Sequence, residues 1–372
     1  MQPDILGFLY PEIDEVKCVE CNLCVKKCPQ NIDSSPKTKP IQVLACTSKE
    51  ESTVMSSSSG GAFFEICKLF FQTYSQCSVY GAIFEDGVVK HERVNSIDEV
   101  EKLKKSKYTQ SNLNDTFKNI RTDLKSSFPV LFVGTPCQVD GLRNYLKNVD
   151  TRYLLTVDLL CTGVCSPLLF GNHCKYIEQK YKARISKYDM RYKQNVNGKW
   201  HIMDVQINCG GYLEEEENVR DLFIQTFRHH IAFRQSCYKC KYTNTSRCGD
   251  ITLGDYWKPL PGMTDNESRG VSVVISNTDV GDKIVESLKH TMDYFTITIY
   301  DIKEQQPALN HPVNKPRYFV PKDINRVETS VSFMKKYGRD PFKIRMLVFL
   351  SHHIPNSLSS LLKKYYYLLQ SK

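Results

Sequence analysis

The chain has 372 residues, is 41% hydrophobic and carries a formal net charge of +9, which suits a protein of two or three domains with a large buried core. No run approaches the eighteen or so apolar residues that cross a bilayer, and no charged-then-apolar leader opens the sequence, so a cytoplasmic protein is expected. From Val331 to Lys372 eight Lys or Arg stand against Asp340 alone, leaving a nearly neutral body without the basic, aromatic-interleaved stripe of a nucleic-acid binder.

Fifteen cysteines in such a chain call for metal or redox chemistry, because thiols in a reducing compartment do not build disulfide frameworks. The first four lie in Cys18-Val19-Glu20-Cys21-Asn22-Leu23-Cys24-Val25-Lys26-Lys27-Cys28-Pro29, the C-x₂-C-x₂-C-x₃-C-P run of a bacterial-type [4Fe–4S] ferredoxin. Cys18, Cys21 and Cys24 can wrap three corners of one cubane, while a cysteine in the position of Cys28 serves a second cluster in two-cluster ferredoxins. No cysteine precedes Cys18. The expectation is therefore half of a two-cluster module, from a chain that starts late. Zinc is the competing ligand, although zinc knuckles favour two separated C-x₂-C pairs. Residues 1–45 read as this partial 4Fe–4S ferredoxin-like segment, closed by the polar stretch from Asp33 to Pro40.

Residues 46–150 form the next expected unit. Ser56 to Gly61 opens an amphipathic helix through Phe63, Phe64, Ile66, Leu69 and Phe70. Val79 to Phe84 and Val88 to Val94 flank an Asp86-Gly87 turn and read as a hairpin. Charged helices near Ile97 to Lys105 and Asn114 to Lys125 lead to the buried strand Val130 to Val133. Gly134-Thr135-Pro136-Cys137-Gln138 then turns into a helix running to Leu146.

Residues 151–330 repeat the alternation. A strand from Tyr153 to Leu160 ends at Cys161-Thr162-Gly163-Val164-Cys165-Ser166-Pro167, and two strands flank Asn208 to Gly211. A helix covers Val219 to Ile231, a cysteine loop spans Ser236 to Cys248, and strand, helix and strand fill Val271 to Ile299. The predicted fold is α/β, a mixed sheet with flanking helices, preceded by the small 4Fe–4S ferredoxin-like segment. Residues 331–372 are a basic amphipathic helical tail in which Leu358, Leu361, Leu362, Tyr365 and Leu369 share a face beside Lys363 and Lys364. Such a face suits peripheral contact with an anionic membrane or docking on the protein's own core.

Cys137, Cys161, Cys237 and Cys240 sit at strand-to-helix or loop positions, where open α/β sheets place ligands. Cys137 follows a proline at a helix start, where backbone N–H groups favour a thiolate, and Cys237 and Cys240 can hold one edge of a cluster or a zinc ion. Isolated Cys46, Cys67, Cys77, Cys174 and Cys209 read as small core residues. Ser56 to Ser59 alone would pass for a linker with a helix cap. Glu214 to Glu217 reads as a solvated helix start, and His229 and His230 as packing or surface residues.

Six blocks in order, Ser57-Ser58-Ser59-Gly60-Gly61-Ala62-Phe63, Ser106-Lys107-Tyr108-Thr109-Gln110-Ser111, Gly134 to Gln138, Cys161 to Val164, Ser236 to Cys240 and Asp250-Ile251-Thr252-Leu253-Gly254-Asp255-Tyr256-Trp257, resemble the coenzyme F420 hydrogenase/dehydrogenase beta-subunit family. The resemblance reaches Phe319 and extends to bacterial homologues in polysaccharide-biosynthesis gene clusters. It implies a buried [4Fe–4S] cluster on Cys137, Cys161, Cys237 and Cys240, next to an FAD. The flavin site it implies is Ser58, Ser59, Gly60 and Gly61 with Ser106, Lys107, Tyr108, Gln110 and Ser111. Small residues with free N–H groups at a helix start allow close approach of a pyrophosphate. Members often read Cys-His-Gly-Val-Pro-Ser-Pro where this chain has Cys161-Thr162-Gly163-Val164-Cys165-Ser166-Pro167, so Thr162 removes a proton donor. Cys165 and Cys248 offer an alternative ligand set with Cys237 and Cys240.

The expected function is that of an iron–sulfur flavoprotein oxidoreductase. A ferredoxin or redox partner protein would supply electrons through 4Fe–4S clusters to FAD and on to an unidentified small-molecule substrate. No catalytic residue is assigned, and the absence of G-x-G-x-x-G after any strand argues against a Rossmann-type nicotinamide dehydrogenase. The alternatives are a non-catalytic electron-transfer subunit and a cluster- or zinc-stabilised scaffold associated with polysaccharide biosynthesis.

Overall fold

The computed structural model describes residues 1–31, 39–196, 199–216, 220–258, 260, 262, 269–342 and 346. A two-stranded hairpin of β1 (Gln2–Pro3) and β2 (Leu9–Tyr10) opens the chain, and the cysteine run follows on exposed backbone with one short helix, α1 (Leu23–Lys27). The first unit of the main body comprises β3 (Gln42–Ser48), α2 (Glu51–Met55), α3 (Ala62–Thr73), β4 (Ser78–Glu85) and β5 (Val88–Val94). Then come α4 (Thr116–Lys125), β6 (Val130–Val133), α5 (Pro136–Tyr145), β7 (Leu154–Leu159), α6 (Pro167–Tyr181), β8 (Ile185–Val196), β9 (Lys199–Cys209) and β10 (Tyr212–Glu216). The last described elements are α7 (Leu222–Arg228), β11 (Ile251–Tyr256), β12 (Val271–Ser276), α8 (Asp279–Leu288), β13 (Met292–Thr296), α9 (Ile299–Lys303) and α10 (Val327–Tyr337).

The apolar runs build one eight-stranded sheet of order β13-β3-β12-β11-β7-β6-β4-β5. Its middle is parallel, β4 with β6, β6 with β7 and β7 with β11, and its remaining pairs are antiparallel. This is the expected mixed α/β fold. Strands from both sides of residue 150 share the sheet, since β6 pairs with β7 and β3 with β12. β12 shows why a short apolar run becomes a central strand: Val-Ser-Val-Val-Ile-Ser is buried at every position, as a strand covered on both faces must be. Helix α3 lays Ile66, Cys67 and Phe70 on one face of the sheet, against Leu44, Leu131, Val157 and Val274. A second core gathers Phe170, Phe223, Phe233 and Met190 between α6, α7 and the three-stranded sheet β10-β9-β8. Cys46, Cys67, Cys77, Cys174 and Cys209 are all buried in these cores.

Two elements differ from the sequence reading. The helix expected near Ile97 to Lys105 is a single 3₁₀ turn, Asp98–Lys102, because Val100 is its only buried side chain. The glutamate run is not a helix start: Tyr212–Glu216 pairs antiparallel with β9 after Gly210 and Gly211, both at positive φ, close the hairpin. Its carboxylates are used across strands and helices, with Glu215 accepting from Gln206 and Glu214 from Lys180. Among the described residues no helix is long and apolar enough to cross a membrane. The amphipathic face expected over Leu358 to Leu369 lies outside the described residues.

Candidate functional site

The carboxyl ends of the parallel strands carry the chemistry, as in other open α/β sheets. β6 runs through Gly134 into α5, whose first turn is fixed by a reciprocal cap: the Gln138 side chain accepts from the Thr135 N–H at 3.0 Å while the Thr135 hydroxyl caps the third residue of the helix. Cys137 stands in that turn, with the Thr135 hydroxyl 3.2 Å from its sulfur. β7 ends at Leu159, and Cys161 follows in a turn that only glycine can complete. Gly163 has φ +150°, and a Cβ there would meet the Phe233 ring at 2.3 Å. Cys237 lies in a 3₁₀ turn, Gln235–Lys239, and Cys240 ends it.

A buried ion pair joins the two segments that carry Cys161 and the Cys237 loop. Arg247 donates to Asp158 at 3.1 Å and to the Leu159 carbonyl at 2.9 Å, and the other Asp158 oxygen accepts from the Cys248 and Gly249 N–H groups. Every polar atom of the Asp158 carboxylate is thereby engaged, which is the condition for keeping a charge in the interior.

Cys137, Cys161, Cys237 and Cys240 all open on one cavity of about 1700 Å³. Desolvation pushes the half-buried Cys161, Cys237 and Cys240 thiols up, Cys237 to about 12, and Cys161 is raised further by the proximity of Cys237, Cys137 and Cys240, whereas Cys137 is exposed. Among the described residues no three His, Cys, Asp or Glu side chains converge closely enough to share one metal ion. Four thiols without a carboxylate or imidazole among them suit soft metals, and their spread around a cavity fits a group with several metal corners better than one zinc ion. Cys165 and Cys248 do not line the cavity. Both are buried in the hydrophobic cores, where the Cys165 thiol donates to the Ile231 carbonyl.

The same cavity is walled by Ser57, Ser58, Ser59, Gly61 and the segment from Ser106 to Ser111. These blocks touch: the Ser58 hydroxyl accepts from the Ser106 N–H at 2.8 Å and lies 3.1 Å from the Ser106 hydroxyl. Gly60 presses on the sheet, where a Cβ would meet the Cys46 carbonyl at 2.3 Å and the Ser272 N–H at 2.7 Å. Tyr108 stacks on Phe227, Gln110 accepts from Arg234 at 2.8 Å, and Ser111 accepts from Gln138 at 2.9 Å. Lys107 lines the cavity with its ammonium on the Leu103 and Lys104 carbonyls.

Three cations behind this wall escaped the sequence reading. Arg191 donates to the Ser58 carbonyl at 2.9 Å and pairs with Asp255 at 2.8 Å; Lys193 holds the Val54 and Ser59 carbonyls, both at 2.6 Å; Lys105 pairs with Asp189 at 3.0 Å. The available signal was spacing: Asp189, Arg191 and Lys193 stand at every second position of β8 and all are buried, although register shifts interrupt the strand between Asp189 and Gln194. Burial brings both Lys107 and Lys193 down to about 7. His91 also lines the cavity, its Nε2 3.0 Å from the Val133 carbonyl and its imidazole brought down to about 4 by burial.

The N-terminal run reaches the same space. Cys18 and Cys21 are exposed and do not line the cavity, whereas Cys24 and Cys28 do. The contact passes through α5, where Lys27 donates to the Asn144 carbonyl at 3.0 Å and Pro29 lies 3.7 Å from where a Gly141 Cβ would be.

With this geometry established, residues 129–301 match the family described as the C terminus of the coenzyme F420 hydrogenase/dehydrogenase beta subunit. The fold is similar to a chain of the xenon-derivatised F420-reducing [NiFe] hydrogenase complex from Methanosarcina barkeri, at 15% identity and a TM-score of 0.49, over 80% of this chain and 91% of that chain. No curated protein matches.

Proposed function

Because residues 129–301 belong to the C-terminal family of the coenzyme F420 hydrogenase/dehydrogenase beta subunits, we propose that the chain is an iron–sulfur flavoprotein oxidoreductase. In this reading it takes electrons from a ferredoxin-like donor or partner subunit and delivers them to a small-molecule acceptor. The supporting observation is the single cavity of about 1700 Å³ that Cys24, Cys28, Cys137, Cys161, Cys237, Cys240 and the Ser57–Ser59 and Ser106–Ser111 walls share. Sites for one small ligand are usually about 300–1000 Å³, so this one has room for more than a single group.

Cys137, Cys161, Cys237 and Cys240 would hold an inner 4Fe–4S cluster, and Cys18, Cys21, Cys24 and Cys28 the outer site. Ser58, Ser106 and the N-terminal turn of α3 would take the pyrophosphate of FAD, with Lys105 and Arg191 supplying positive charge at the cavity wall. Clusters exchange single electrons, and a flavin exchanges one or two. The chain's own contribution is placement: Arg191 and Lys193 brace the serine loop by its carbonyls, and Gln138 ties the Ser106–Ser111 wall to the helix bearing Cys137.

Anaerobic purification followed by iron, sulfide and flavin assays tests the reading. About eight irons and one flavin per chain are expected, and a colourless zinc protein overturns it, leaving the scaffold in a sugar-polymer pathway. Thr162, which lines the cavity where a family histidine often stands, favours a second reading as an electron-transfer subunit without its own substrate step. Turnover of the loaded chain with candidate acceptors, with and without a partner subunit, separates the two.

A further inference from the structure

Arg234 is a cavity-lining cation that meets no carboxylate among the described residues. Arg191 pairs with Asp255 and Lys105 with Asp189, but Arg234 forms no ion pair among the described residues. It is nonetheless held from several sides. One arm donates to Gln110 at 2.8 Å, the other to the Leu9 carbonyl at 3.0 Å, and the guanidinium lies over the Tyr10 ring at 4.1 Å. Its backbone is fixed as well: the Arg234 N–H donates to the Val164 carbonyl at 3.1 Å, and its carbonyl accepts from the Cys237 N–H at 2.8 Å.

That position sets a rigid positive charge three residues from Cys237, whose N–H the Arg234 carbonyl accepts, on the cavity that all four inner cysteines line. A half-buried cation without a carboxylate is costly unless an anion faces it, and four ionised cysteines around a cluster are such an anion. We propose that Arg234 is the counter-charge of the inner cysteine set, a positioning residue that raises the reduction potential of a cluster held by Cys137, Cys161, Cys237 and Cys240. Reduction adds one electron, and therefore one negative charge, to that set; a fixed cation stabilises the reduced form more than the oxidised one. The inference rests on the cluster reading given under Proposed function.

The test is a potentiometric titration of the full, anaerobically loaded chain followed by electron paramagnetic resonance. The inner cluster is identified as the wave lost in Cys161→Ala. Arg234→Gln removes the charge and keeps a hydrogen-bond donor toward Gln110 or Leu9, whereas Arg234→Lys keeps the charge and loses the fork. The expected result is a shift of the inner wave to more negative potential in Arg234→Gln, with Arg234→Lys at the wild-type value. Loss of inner-cluster iron in Arg234→Gln but not in Arg234→Lys supports the same assignment. An unchanged wave in Arg234→Gln, or an equal shift or loss of iron in both variants, overturns it and leaves the cluster reading standing. A wild-type chain without an inner wave overturns the cluster reading and the assignment together.

Discussion

Lys107 donates to the carbonyl oxygens of Leu103 and Lys104, and Asp189 attracts its charge from farther off without offsetting the desolvation that brings it from 10.5 to about 7. Its folded-state value lies below the unfolded one, so between about pH 7 and 10.5 the unfolded chain binds the extra proton and stability rises with pH. Urea unfolding of the metal-free chain at pH 7 and about pH 8, below the point where the raised thiols of Cys46, Cys165 and Cys237 begin to act in the opposite sense, should show a smaller rise in Lys107→Met than in wild type; Lys193 contributes in the same direction. A phosphate-bearing ligand would pull both lysines back toward the charged form. Flavin nucleotide binding near neutral pH should therefore take up protons, read by calorimetry in buffers of differing ionisation heat. Asp158 and Arg247 obey the opposite logic, because each fully buried charge answers the other. Arg247→Met should cost about 3–5 kcal/mol in chemical denaturation, and adding Asp158→Asn should recover part of it. The cysteines were legible in the sequence because thiol chemistry resides in the residue type. Arg191 and Arg234 were not, because what matters about them is contact with Ser58 and Gln110, more than a hundred positions away.

The elements that present the cysteines are stabilised locally and can be tested locally. The cap of α5 is a side-chain hydroxyl facing backbone N–H groups, and Thr135→Ala should lower unfolding free energy by about 1 kcal/mol. Gly163→Ala forces a Cβ into Phe233 at a φ that disfavours any side chain, so Cys161 must move. That variant should purify with less iron than wild type while far-ultraviolet circular dichroism stays unchanged. The β4–β5 hairpin was readable from Asp86-Gly87 and its alternating flanks, since turn and strands are neighbours in sequence. The glutamate strand was misread because its partner β9 rewards pairing that composition does not show: four acidic residues carry no periodic apolar face, yet the double glycine before them closes a hairpin.

At the scale of the molecule, the exposed cysteine run and the body meet along α5, so the two proposed metal sites should be separable. Replacing Cys18, Cys21 and Cys24 together with serine should remove about half the iron and move the thermal midpoint little, because these side chains contribute no buried surface. Iron assay and calorimetry on one preparation check both halves. The α/β class was legible from the alternation of elements, but the strand order was not, since it is set by pairings that skip most of the chain.

β3 is the plainest such case, with Cys46 opposite Ser272 on one side and Tyr294 on the other. On the ribosome it is the first strand of the large sheet to emerge and must wait for the last two, roughly 10–45 s at ordinary elongation rates. Cys18, Cys21, Cys24 and Cys28 lie within eleven residues and emerge together, ahead of that sheet. Cys137 and Cys161 emerge well before Cys237 and Cys240, which lie 76 to 103 residues farther along the chain. If the cysteines take clusters as proposed, iron would reach the outer residues on a nascent chain, whereas the inner set could be filled only after Cys240 has emerged, and metal delivery to this protein would have two separate moments.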